Sequence, residues 1–80
     1  MSSFPLSKLP PYGVCRVVGV EECAAKNRMT GLGITEGAEL IRLFCAPSGD
    51  PVAYSVRGTA VALRLSDAEK VIVTGDDKWV

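Results

Sequence analysis

The stretch VAYSVRGTAVALRL, residues 52–65, limits the choice of fold more than any other part of the chain. Two short apolar runs stand on either side of RGT, a hairpin turn signal, and Val61, Leu63 and Leu65 alternate with smaller or polar residues. A period of two is the pattern of a strand with one buried face, and runs this short cannot make a long helix. The remainder has the same grain. YGVCRVVGV, from Tyr12 to Val20, places Val14, Val18 and Val20 on even positions. A strand from about Ala38 to Ala46 leads through PSGDP, a dense turn signal, into VAYSV, and VIVTG begins a last strand at Val71. Residues 1–11 carry Pro5, Pro10 and Pro11 and read as an extended or turn-rich lead-in.

EECAAKNRMTG, after the first strand, changes character. Two acidic residues lead, Lys26 and Arg28 sit in the last turns, and Gly31 stands just beyond, an order that suits the helix dipole and a glycine stop. Ala25, Met29 and Leu32 follow the spacing of an inward stripe. In SDAE, Ser66 stands three residues ahead of Glu69, the spacing of a capping box, with room for about one helical turn. Five short strands favour closure into a small barrel, because closure removes exposed edges. A single helical turn before the last strand is a feature of the SH3-like barrel. The expected fold is therefore mostly β, a five-stranded SH3-like barrel with a short helix inserted after the first strand. One domain spans residues 1–80, with its core at about 5–74 and a polar tail at 75–80.

RMTGLGITEGAEL, Arg28 to Leu40, carries glycines at 31, 33 and 37. A dinucleotide fingerprint needs G-x-G-x-x-G after a strand and opening a helix, but here Glu36 holds the sixth place and a helix precedes. A Walker loop fails for want of G-K-[ST]. The glycines read as backbone geometry: a left-handed C-cap at Gly31, a close turn beneath the helix at Gly33, and a positive φ in the tight turn at Gly37.

Charge and chemistry exclude several function classes. Nine basic and nine acidic residues, interspersed, leave no basic face for nucleic acid. A chain of this length buries roughly 60–65% of its unfolded surface, a core better suited to a binding module than to a deep catalytic cleft. There is no His, so Ser-His and Cys-His nucleophile pairs are absent, and Asp76 and Asp77 in the DDKWV tail read as a solvated turn. No catalytic residue is expected. Nothing resembles a membrane span or a signal peptide, which points to a cytoplasmic protein without direct membrane insertion.

Cys15, Cys23 and Cys45 are odd in number and form no CxxC pair, so a disulfide framework is not expected. They are the candidate metal ligands, since thiolates with Asp or Glu oxygens suit ferrous iron or zinc. Cys15 shares a face with Val17, Cys45 follows Leu43 inward, and Cys23, opening the helix, is the accessible one. The aromatic residues Phe4, Tyr12, Phe44, Tyr54 and Trp79 are scattered, unlike the clustered groove that holds a proline-rich peptide. Trp79 is expected to fold back onto the barrel.

Four groups of residues resemble one known family in register. Arg28, Met29, Leu32, Gly33, Ile34 and Gly37 come first, then Pro47, Gly49, Asp50 and Pro51. Gly58, Ala62, Leu63 and Arg64 follow, and Ala68 and Glu69 complete the set. Together with Leu6, Ser7, Leu9 and Gly13, they are similar to the FeoA family of small proteins accessory to bacterial ferrous iron transport. The resemblance implies an SH3-like barrel, no catalysis, no resident cofactor and a cytoplasmic role beside the FeoB membrane permease. Met29 replaces the family's commoner Leu, and DDKWV lies outside the family pattern. The protruding helix and its cap are the partner-facing element, with Arg28, Leu32 and Ile34 as candidate contacts. The expected function is that of a non-enzymatic adaptor that binds the cytosolic part of FeoB and modulates it. The alternative is a transition-metal-binding or metal-sensing domain that uses Cys thiolates.

Overall fold

The computed structural model of the chain describes residues 3–75. Its strands are β1 (Ser3–Pro5), β2 (Val14–Val20), β3 (Glu39–Cys45), β4 (Val52–Val56), β5 (Thr59–Leu63) and β6 (Val71–Gly75). A 3₁₀ turn at Leu6–Lys8 follows β1, helix α1 (Lys26–Gly31) lies between β2 and β3, and helix α2 (Leu65–Ala68) precedes β6. Every strand pairing is antiparallel, in one six-stranded sheet of order β1-β6-β2-β3-β4-β5.

The fold is mostly β and SH3-like, with two departures from expectation. The sheet has six strands rather than five, and it is open, because β1 and β5 end the order without pairing to each other. The lead-in supplies the extra strand: Ser3, Phe4 and Pro5 lie opposite Thr74, Val73 and Ile72. Three residues are too few to display a period, and proline is tolerated because the strand is an edge. Leu6, which opens the 3₁₀ turn, and Leu9, which follows it, are both fully buried.

Period two holds, but in β2 the buried face is Cys15 and Val17 rather than Val14, Val18 and Val20, of which Val18 is 46% exposed. Val52, Tyr54 and Val56 of β4, Val71 and Val73 of β6, and Cys15 and Val17 of β2 all face the core, joined by Leu40, Met29, Ile34 and Ala68. The alternation breaks at irregularities in the ladder. Between Arg42 and Phe44 the pairing of β3 with β4 shifts register, and the strand beyond the shift leaves Phe44 and Cys45 exposed. Cys45 is therefore not inward, because an inserted residue in one strand resets which face each later side chain takes.

Helix α2 corrects the capping-box reading. Its N-cap is Arg64, in an extended conformation, and no side chain of the cap residue bonds the helix. Instead the Leu65 backbone N–H donates to Asp50 Oδ1 at 3.0 Å. The carboxylate comes from the SGDP turn, whose Gly49 has φ 92° and whose Asp50–Pro51 bond is cis. Asp50 thus ties the β3–β4 turn to the helix before β6, and its negative charge suits a helix N-terminus. Asp50→Ala is expected to cost about 0.5–2 kcal/mol in urea denaturation, as lost N-caps do. Ser66→Ala should stay within about 0.5 kcal/mol of the parent, as an exposed change that removes no cap bond does. Equal losses for the two would contradict this assignment. The expectations for Asp76, Asp77 and Trp79 concern positions outside the described residues.

Candidate functional site

Helix α1 has six residues, a short helix of about two turns as its sequence pattern suggests. It starts at Lys26, four residues after Glu22, and the Lys26 ammonium reaches back to the Glu22 carboxylate at 2.7 Å. Its C-terminus is closed by two backbone bonds: Gly33 N–H to Thr30 O and Ile34 N–H to Met29 O, each 3.0 Å. These are the two bonds of a Schellman motif, with Gly33 as the left-handed residue at φ 98°. The glycine stop is therefore Gly33. Gly31 is the last residue of the helix and does not have a positive φ. Gly37 takes φ 87° in the Thr35–Ala38 turn, as its place in the sequence suggested.

The reversal at Gly33 decides what the helix end shows to solvent. Met29 and Ile34, the two apolar partners of the motif, are both fully buried. Leu32, between them, is 42% exposed. The inward stripe is accordingly Ala25, Met29 and Ile34, and Ile34 is a core residue that no partner can touch. Arg28 points to solvent, and its guanidinium Nη2 donates to Asp67 Oδ2 at 2.9 Å, linking α1 to α2. Such an exposed pair contributes at most about 1 kcal/mol, so it orients Arg28 more than it stabilises the fold. Arg28 and Leu32 therefore share a rigid helix end as a cation beside an exposed aliphatic side chain.

The cysteines do not make a donor set. Cys15 lies in the core, where burial pushes its thiol up to about 12, partly offset by a hydrogen bond from the Leu40 backbone. A thiol held protonated is a poor metal ligand. Cys23 is half-buried against the core and Cys45 is exposed. Among the described residues, no three His, Cys, Asp or Glu side chains come together as a metal site. The described residues do not fit a thiolate-held metal.

A second surface escaped the sequence reading. On the outer face of the sheet, Phe44, Ala53 and Ala62 stand opposite one another across β3, β4 and β5. With Cys45, Pro47 and Pro51 they line an open depression of about 350 Å³, and Phe44 is 66% exposed. The available signal was the pair of alanines at positions where an outer face usually carries polar residues. The register shift that turns Phe44 outward leaves no such mark.

No helix among the described residues is long and apolar enough to cross a membrane. No curated protein matches the chain significantly. Solved structures do. A FeoA-like protein from Clostridium acetobutylicum is 28% identical, with a TM-score of 0.86 over 94% of this chain and 88% of that one. The FeoA protein of Chlorobium tepidum is 32% identical, with a TM-score of 0.82 over 94% and 75%. FeoA of Stenotrophomonas maltophilia, a procaryotic SH3 domain protein in complex with zinc, is 32% identical, with a TM-score of 0.81 over 89% of each chain. The sequence profile of the FeoA domain matches residues 4–75, which takes in the glycine-closed helix, the Asp50 turn and all of β2 to β6. The chain belongs to the FeoA family.

Proposed function

We propose that this chain is a non-enzymatic, cytoplasmic accessory protein of ferrous iron uptake. It binds the cytosolic part of a FeoB-type permease and modulates it, and it reaches the inner face of the membrane only through that partner. The supporting observation is the end of α1. There the Gly33 turn holds an exposed Leu32 and a solvent-facing Arg28 side by side on the helix cap. An aliphatic anchor next to an arginine is the make-up of a small interface whose energy is concentrated in few residues. A thiolate metal centre draws no comparable support from the buried Cys15 and the dispersed Cys23 and Cys45.

Titration of the cytosolic region of FeoB with this protein, by calorimetry, tests the reading. Leu32→Ala and Arg28→Glu are each expected to weaken binding about tenfold, a loss near 1.4 kcal/mol. Asp67→Asn frees Arg28 without removing its charge and should change affinity by less than about threefold. Unchanged affinity for both Leu32→Ala and Arg28→Glu would displace the contact to another surface. No binding by the unaltered protein, with or without ferrous iron, would overturn the adaptor reading itself.

A further inference from the structure

The two edges of the open sheet are built differently. β1 is three residues long and ends in Pro5, features that blunt an edge against further pairing. β5 has five residues, TAVAL, with no charge, no proline and no glycine, and among the described residues it pairs only with β4. The turn that joins them, Arg57-Gly58, has positive φ at both residues, 54° and 80°, as a two-residue type I′ hairpin requires. In that hairpin the pairs Val56–Thr59, Tyr54–Val61 and Val52–Leu63 exchange the ladder bonds. The N–H and C=O groups of Ala60 and Ala62 consequently point away from the sheet, and both residues are exposed.

Side chains around this edge define what it can accept. Ala62 belongs both to the edge and to the apolar depression lined by Phe44, Pro47, Pro51 and Ala53. An added strand would place alternate side chains beside Ala62, at the rim of that depression. Exposed arginines stand just beyond both ends of β5, Arg57 on one side and Arg64 on the other. A second copy of this chain, paired antiparallel about Val61, would bring Arg57 of one copy near Arg64 of the other, and like charges oppose that arrangement. An extended segment with acidic residues at its ends meets attraction at both.

We infer that the free edge of β5 is a docking site for an extended peptide segment of another protein. That segment is apolar at alternate positions and acidic at both ends, and it adds as a seventh strand with its apolar side chains beside Ala62, at the rim of the apolar depression. The mode is β-augmentation: backbone bonds to Ala60 and Ala62 supply affinity, and the depression and the two arginines supply selection. The inference goes beyond the adaptor reading by naming a class of segment, and it does not depend on which protein carries it.

The test uses the intact protein, labelled with ¹⁵N, and a capped octapeptide Glu-Thr-Val-Thr-Val-Thr-Val-Glu. Its ends are spaced to meet Arg57 and Arg64. Addition of peptide should move the Ala60 and Ala62 amide resonances and slow their hydrogen exchange. The same peptide with Lys at both ends should bind about tenfold more weakly, because two weak attractions become repulsions. Ala62→Pro removes one outward N–H without touching the β4 ladder, so the fold should persist while the response at the remaining Ala60 amide disappears. Ala60→Pro is the second variant should the first fail to fold. Absence of any response at Ala60 and Ala62, equal affinity for both peptides, or an undiminished response in a folded proline variant would each overturn the inference. Self-association abolished by Ala62→Pro would assign the edge to a second copy and overturn it as well.

Discussion

Raised from pH 8 to pH 12, the protein is expected to lose on the order of 5 kcal/mol of stability beyond what a Cys15→Ala/Tyr54→Phe variant loses. Burial pushes the Cys15 thiol from its ordinary 9.0, and the Tyr54 hydroxyl from its ordinary 10.0, up to about 12 each. Desolvation is the main cause for both. For Tyr54 the nearby Arg42 acts in the opposite direction, and Cys15 adds to the rise. In the unfolded chain these groups release protons at their ordinary values, whereas the folded chain holds them. Between pH 9 and pH 12 the folded state therefore binds more protons than the unfolded one, and stability falls as pH rises. Below pH 9 both groups are neutral in both states and the contribution is intact. Both side chains sit in the core, with Tyr54 fully buried and its hydroxyl aimed at the Leu6 carbonyl 3.5 Å away. A domain of this size has roughly 4–12 kcal/mol to lose, so urea midpoints should collapse before pH 12. The double variant removes both titrations while leaving lysine deprotonation in place. A parent midpoint that tracks the variant at every pH would show that neither group is sealed from water.

Gly31→Ala and Gly33→Ala, two residues apart, are expected to shift the melting temperature in opposite directions. At Gly31 an added Cβ meets nothing within 4 Å, and the residue has helical geometry, so alanine should stabilise by about 0.5–1 kcal/mol. At Gly33 the backbone has φ 98°, and a Cβ would stand 3.3 Å from Val56 Cγ1 and 3.3 Å from Arg57 Nε. The left-handed conformation alone costs a side chain roughly 1–2 kcal/mol, and the contact with β4 adds to it. At about 4–8 °C per kcal/mol for a domain of this size, thermal denaturation should separate the two variants by roughly 6–24 °C. If the proposed adaptor role holds, Gly33→Ala also weakens binding to the FeoB cytosolic region, since the Schellman closure is what leaves Leu32 outside and Ile34 inside. A Gly33→Ala protein with parental stability would remove the geometric basis for the candidate surface.

The distinction between Gly31 and Gly33 shows where local reading stops. Both follow an apparent helix, and either could end it; the choice fell to Gly33 because Met29 and Ile34 are the pair that reaches the core together. The same selection moved Leu32 from the expected inward stripe to the surface. Arg28 and Leu32 were legible as candidates, but their separation from Ile34 was not.

What the amino-acid sequence determined by itself was everything governed by neighbours along the chain. Strands β2 to β6 follow from period two, and the turns at Gly37, Gly49 and Gly58 follow from backbone positions that glycine occupies freely. The absence of His removes the usual nucleophile pairs with no need of coordinates. Only the tertiary structure decided the rest. Ser3–Pro5 became a strand because Thr74 and Ile72 lay open to pairing, and Asp50 rather than Ser66 came to serve α2 because the β3–β4 turn folds over it. Phe44 and Cys45 turned outward because one register shift against β4 reset the alternation beyond it. Each of these outcomes depends on a partner many residues away, and a chain's local chemistry states what a residue can do, while the packed sheet determines which partner it meets.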